Sequence, residues 1–341
     1  IGERGANVLI YSSVPPGAGV SSSAALEVAT LHALSEAAGI YPSDLTLAAW
    51  AQRAENTIVG APCGIMDQVT AALGRQNSLT VLKCQPHDLL GSQRVPPGWR
   101  LLGLDSRVKH SVGGERYTRA RIGAFMGLKI IQLESGGKLL DNYLCNMDPS
   151  EFASYRELIP ETIVGEEYSR EYGLLPDTVT RVDPADTYRP RACAEHPILE
   201  NERARQFFAL MQIAALRAEE RRDGPAEGAE SREDMVEAGR LMYEAHASYS
   251  ERLDLGSPET DLLVDLVRQR GARRGLYGAK ITGGGSGGTV AVLCTSDDSV
   301  AQPALFEVCE EYRRSTGFYP APIIGSSRGA LMFGARQILR G

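Results

Sequence analysis

The segment Ser12–Glu27, SSVPPGAGVSSSAALE, constrains this chain more than any other stretch. Val8, Leu9 and Ile10 read as an apolar strand that Pro15 and Pro16 stop. Gly17 and Gly19 permit a backbone path closed to residues with side chains and leave amide N–H groups bare. Ser21, Ser22 and Ser23 then open a helix running through Ala24, Leu26, Val28, Leu31 and Leu34 to Gly39. A glycine turn feeding a helix N-terminus is an anion seat, because free N–H groups and the positive end of the helix dipole face the ligand together. A serine hydroxyl there can also reach a magnesium ion carried on phosphates. A capped helix after a tight turn is the plainer alternative, since serine is a common N-cap. A dinucleotide fingerprint would need a glycine where Ser22 stands. A Walker loop would need Gly-Lys-Ser/Thr after the glycines, and none follows.

Two further segments extend the phosphate reading. In Glu55–Gln68, ENTIVGAPCGIMDQ, Ser43 can cap a helix leading through Leu45, Leu47, Ala48, Ala51 and Ala54 to Glu55. Gly60 and Pro62 break that helix, Gly64 allows a close backbone approach, and Asp67 opens a second helix, Met66 to Leu73. Asp67 could simply complement a helix dipole, or it could orient and deprotonate a hydroxyl that attacks a phosphoryl group. In Gly278–Val290, GAKITGGGSGGTV, five of the six residues after Thr282 are glycine, and an apolar strand to Leu293 follows. Flexible linkers are not tucked between strand-like runs, so a glycine loop closing over nucleotide phosphates fits better than a linker.

With these motifs the chain resembles the galactokinase branch of the GHMP kinases, small-molecule kinases named for galactose, homoserine, mevalonate and phosphomevalonate. Pro16–Ala25 matches that family's phosphate motif, Cys63–Gln68 its sugar-kinase aspartate motif, and Thr282–Thr289 its glycine-rich third motif. The resemblance continues through Asp105–Tyr117 and Gly239–Leu263. His110–Gly114, Tyr143–Asn146 and Ser286, in a place where galactokinases usually carry an aromatic residue, look like the L-arabinokinase side of the branch.

The resemblance implies an α+β, two-domain GHMP kinase fold. A ribosomal protein S5 domain 2-like N-terminal domain, here truncated, would occupy residues 1–97, and a ferredoxin-like C-terminal domain residues 98–341. It implies an ATP-dependent sugar 1-kinase acting on L-arabinose or a galactose-like sugar. A galactokinase proper and a non-catalytic sensor that binds ATP and sugar are the alternatives. The implied catalytic residue is Asp67, near the anomeric hydroxyl. ATP phosphates would meet Pro16, Gly17, Ala18, Gly19, Val20, Ser21, Ser22, Ser23, Lys109, Gly284, Gly285 and Ser286. Gly64, Asp67 and Tyr117 would touch the sugar, and Ser23 and Glu55 would hold Mg2+. Lys109 stands where galactokinases tend to carry arginine, and lysine lacks the bidentate fork. His110 reads as a structural hydrogen-bonding residue. Family members also carry a preceding segment with a catalytic arginine and a Glu-His-x-Asp run, which this sequence lacks. The chain alone is therefore expected to be poorly active, and robust sugar-dependent ATP turnover by it would contradict that.

Composition supplies bounds. At 341 residues and 43% hydrophobic the chain can bury a large core. A net charge of −7 disfavours nucleic acid as the main partner. There is no apolar run of membrane-spanning length. The six cysteines form no CxxC pair and read as reduced cytoplasmic thiols, with Cys63 a small packing residue. Strands are expected near Ser78–Cys84, Leu101–Leu104, 278–282, 289–294 and 328–333. Helices are expected after Tyr117 and at 199–216, 233–252 and 298–314, with Arg217–Asp234 as an exposed loop.

Overall fold

The computed structural model describes residues 5–85, 87–109, 114–137, 143–220 and 229–336. Helix α1 (Ser22–Ala38) ends at Gly39, whose φ of 67° directs its N–H back to the carbonyls of Glu36 and Ser35. Helix α2 (Asp44–Ala54) begins after Ser43 and widens into a π-turn, Glu55–Val59, which left-handed Gly60 ends. Helix α3 (Met66–Leu73) covers the expected residues. Val28 of α1, Leu47 and Ala51 of α2, and Val69 and Ala72 of α3 bury against one another. This small core fixes the start of α1, the π-turn and the start of α3 in one place.

Strands β1 (Ser78–Lys83) and β2 (Asp88–Arg94) form an antiparallel hairpin, followed by β3 (Trp99–Asp105). A largely helical stretch comes next: α4 (Glu115–Glu134), α5 (Pro149–Tyr155), β4 (Ile163–Val164), α6 (Gly165–Tyr172), β5 (Thr187–Tyr188), α7 (Pro190–Glu220), α8 (Ala229–Ala247) and α9 (Pro258–Arg270). The chain closes with β6 (Leu276–Ile281), β7 (Thr289–Thr295), α10 (Asp298–Thr316), β8 (Ala321–Ile323) and α11 (Ala330–Phe333).

The main sheet has the order β6-β7-β3-β8 with every pair antiparallel. The first strand in the chain therefore lies inside the sheet beside the third, with the second and fourth at the edges, as in a ferredoxin-like domain. Val290, Val292 and Cys294 of β7 face Leu263 and Val267 of α9 and Val308 of α10. Leu293 joins Trp99 and Tyr277 on the opposite face against Met211 of α7 and Met235 and Met242 of α8. Cover on both faces explains why β7 is apolar from Val290 to Cys294 instead of alternating.

Several expectations need correction. Residues 8–11 form no strand; Val8, Leu9 and Ile10 are 58, 97 and 58% exposed, and no described residue pairs with them. The last strand is at Ala321–Ile323, with Pro322 tolerated because β8 is an edge. Residues 328–333 instead hold the single helical turn of α11, which packs on α3. The helix expected at 199–216 begins at Pro190 and runs through Pro197. The expected loop Arg217–Asp234 is partly helical at both ends, where Arg217 pairs with Asp234; residues 221–228 lie outside the described residues. So do His110, Ser111, Val112 and Gly113.

Candidate active site

The glycine turn has the backbone that its sequence implies. Gly17, Gly19 and Ser21 have left-handed φ of 75°, 68° and 62°, alternating with Ala18 and Val20. Alternation of hand turns successive N–H groups to one side and makes a concave anion seat. Ser21 caps α1 without a side-chain hydrogen bond, and the first turn of α1 holds no acidic residue. The positive helix end therefore faces the turn unneutralised by that helix's own side chains.

The third motif fastens this turn from behind. Thr289 Oγ1 donates to Ala18 O at 2.7 Å, and Thr282 Oγ1 lies 3.3 Å from Gly19 O. Gly283 and Gly284 line the same cavity as Gly17 and Gly19. Gly285 and Ser286 turn away from it. The Ser286 N–H donates to Leu255 O at 2.6 Å, and a Cβ on Gly285 would meet Leu255 O at 2.3 Å. Tyr249 braces the loop by donating its hydroxyl to Gly283 O at 2.8 Å. Lys109 is exposed and arrives beside the turn, because Gly288 N–H donates to Val108 O at 2.9 Å. Its Cγ would lie 4.0 Å from a Cβ on Gly17. Pro16 stands exposed at the turn's entry, outside the cavity lining.

The cavity measures about 430 Å³ and also takes in Ser21, Ser22, Ser23, Glu55, Cys63, Gly64, Asp67, Tyr117 and Tyr249. Asp67 is half-buried in the first turn of α3. Tyr117 comes from the first turn of α4, across the cavity. Burial pushes the Tyr117 phenol up; Arg121 opposes that shift, and the charge of Asp67 adds to it. Burial likewise pushes Tyr249 up.

At one end of the cavity the oxygens of Ser23 and Glu55 meet. Ser23 Oγ donates to Glu55 Oε1 at 2.7 Å, and Gln68 Nε2 donates to Glu55 Oε2 at 2.7 Å. Glu27, one turn after Ser23 on α1, places Oε2 3.5 Å from the same Gln68 nitrogen. Burial, then the neighbouring charge of Glu55, raises the Glu27 carboxyl to about 7. Burial and Glu55 raise the Cys63 thiol to about 12, so it stays protonated and unreactive. Hard oxygen donors such as Ser23 and Glu55 suit magnesium, which keeps several waters and takes phosphate oxygens as ligands. Among the described residues no cluster of three or more His, Cys, Asp or Glu is arranged to hold a metal by itself. Glu27, Gln68 and Tyr249 have no role in the sequence reading. Spacing of four from Ser23 is the signal that puts Glu27 on the same helix face. The contacts of Gln68 and Tyr249 depend on tertiary packing and leave no such signal.

Two family models match the chain. The GHMP kinases N terminal domain matches residues 1–75, and the GHMP kinases C terminal matches residues 226–314. An L-arabinokinase of Arabidopsis thaliana is 38% identical over 99% of this chain and 34% of its own length. A galactokinase of Chloroflexus aggregans is 34% identical over 86% of this chain and 62% of its own. The chain thus spans about a third and about three fifths of these two relatives. A galactokinase of Thermotoga maritima is 31% identical, with 91% of this chain and 71% of that relative covered. The crystal structure of Lactococcus lactis galactokinase complexed with galactose superposes with a TM-score of 0.70 at 19% identity, over 93% of this chain and 68% of that one, and shares the fold. The chain belongs to the GHMP kinases, in the galactokinase family.

Proposed function

We propose that this chain carries the phosphoryl-transfer site of an ATP-dependent sugar 1-kinase acting on L-arabinose or a galactose-like sugar. The observation that carries this reading is a single cavity lined by the glycine turn, the Ser23–Glu55 pair, Asp67 and the third-motif glycines. Phosphoryl transfer asks for alignment and charge neutralisation more than for covalent chemistry, and these groups supply both. Gly17, Gly19, Ser21 and Ser22 offer backbone and hydroxyl donors to phosphate, within a turn shaped by Pro16, Ala18 and Val20. Gly284 covers that seat, while Gly285 and Ser286 anchor the loop on Leu255. Lys109 adds positive charge at the rim. Ser23 and Glu55 would hold magnesium, which would supply charge neutralisation for the transferring group. Asp67 accepts a hydrogen bond from the C1 hydroxyl, aligns it and takes its proton as transfer proceeds. Gly64 and Tyr117 bound the sugar. In the same reading the N-terminal domain ends at residue 97 and the C-terminal domain opens with β3.

The two acceptors have separate support. L-Arabinopyranose has the ring configuration of D-galactopyranose without the exocyclic hydroxymethyl group, and the relatives include kinases named for each sugar. The test is ADP release with L-arabinose, D-galactose, D-galacturonate and mevalonate, on the chain alone and on the chain extended upstream by a first-motif segment. Preference for L-arabinose in the extended chain supports the full reading. Preference for D-galactose keeps the mechanism and changes the acceptor. ATP binding without release for any of them would shift the reading to a sensor.

A further inference from the structure

We propose that Gln68 is a positioning residue, which holds Glu55 for the divalent cation and ties that carboxylate to the helical turn bearing Asp67. The inference rests on the reading of Ser23 and Glu55 as metal ligands given above. Gln68 is fully buried, at 0% exposure, and Glu55 is 7% exposed. A carboxylate buried that deeply needs hydrogen-bond partners. The two oxygens of Glu55 are divided: Oε1 accepts from Ser23 and Oε2 from Gln68, each at 2.7 Å. Clamping Oε2 leaves Oε1 turned toward the Ser23 hydroxyl, the side that faces the phosphate turn.

The amide also sits between two carboxyl groups. Its nitrogen is 2.7 Å from Glu55 Oε2 and 3.5 Å from Glu27 Oε2. An amide can donate to both carboxylates without adding charge, whereas a lysine there would neutralise Glu55 and weaken its hold on a cation. Gln68 Oε1 has no hydrogen-bond partner, so its donors are the part of the side chain that the site uses. Gln68 directly follows Asp67 in the first turn of α3. One turn of helix thus presents Asp67 to the cavity and Gln68 to the carboxylates, so the acceptor-binding and metal-binding groups share one rigid mount.

Manganese is the probe, because its free ion can be followed by electron paramagnetic resonance. The protein is titrated with Mn2+ in the presence of a non-hydrolysable ATP analogue, and metal-free nucleotide binding is measured alongside. Loss of an outer-shell hydrogen bond to a metal ligand typically weakens metal binding about 10–100-fold. Gln68→Met should show that loss while metal-free nucleotide binding is unchanged. Exchanging the two groups, Glu27→Gln with Gln68→Glu, keeps one amide among the carboxylates and should restore affinity that Gln68→Glu alone loses. Mn2+ binding by Gln68→Met equal to wild type would overturn the inference. If Gln68→Met does not fold, equal binding by Gln68→Glu and the exchanged pair would overturn it instead. Absence of Mn2+ binding by the wild-type protein would sink the metal reading of Ser23 and Glu55 along with it.

Discussion

Ser23 and Glu55 lie 32 positions apart in the sequence and share a 2.7 Å hydrogen bond at the start of α1. In the proposed reading the Ser23 hydroxyl both bonds Glu55 and reaches the cation. Ser23→Ala should therefore raise the magnesium concentration needed for half-maximal turnover; an unchanged magnesium titration would remove Ser23 from the metal site. At this scale the sequence is most legible where a motif fixes residue and spacing together, as for Asp67, Ser23 and the glycines of the turn. It is least legible where a side chain gains its role from a neighbour on another helix. Gln68 stands inside a recognisable motif, yet its buried bridge to Glu55 and Glu27 appears only when α1, the π-turn and α3 are packed. Gly285 and Ser286 show the converse. They belong to the third motif, yet the Ser286 N–H goes to Leu255 O and Gly285 packs against Leu255 and Tyr249.

Among elements, close backbone approach decides which glycines matter. On α8, a Cβ at Gly239 would lie 1.9 Å from Tyr277 O of β6, and one at Gly278 would lie 2.5 Å from Gly239 Cα. Helix and strand touch backbone to backbone there. Gly239→Ala forces them apart and should cost about 1–3 kcal/mol, the usual range for overpacking; an unchanged Tm would show that α8 can shift freely. Gly285→Ala should act more locally. Its φ is 78°, and the added methyl would meet Tyr249 Cε1 at 2.8 Å and Leu255 O at 2.3 Å. Weaker nucleotide binding with a lowered Tm is the expected outcome, and a variant with normal nucleotide affinity would argue against a role for this loop. Elements with their own punctuation were legible, such as α3 between Gly64 and Gly74 and β7 after the glycine loop. Residues 8–11 carry strand-like apolar residues, but a strand also needs a hydrogen-bonded neighbour, and none of the described residues provides one. Strand β8 was obscured by Pro322, which only an edge position permits.

For the whole molecule, the sheet order was legible only through resemblance, since β3 pairs with β7 across a long, largely helical insertion that precedes β6. Within that insertion His196 supplies a test of global stability. It accepts or shares a 2.9 Å hydrogen bond with Ser248 and packs edge-on against Tyr249. Burial, as the leading cause, lowers it from 6.5 to about 4. A base whose pKa falls on folding stabilises the folded state fully above its unfolded value, and that stability is lost as pH drops from about 6.5 toward 4. Tm should decline over that window, and His196→Gln should decline less; parallel curves would show that His196 contributes no such linkage.

Wild type and Asp67→Asn, both extended upstream by a first-motif segment, are to be compared for sugar-dependent ADP release, with MgATP binding measured on the same samples. Equal ATP binding is predicted, with turnover at least ~100-fold lower in the variant, the scale of a lost general base. Near-normal turnover in Asp67→Asn would reduce Asp67 to a structural group and contradict the account.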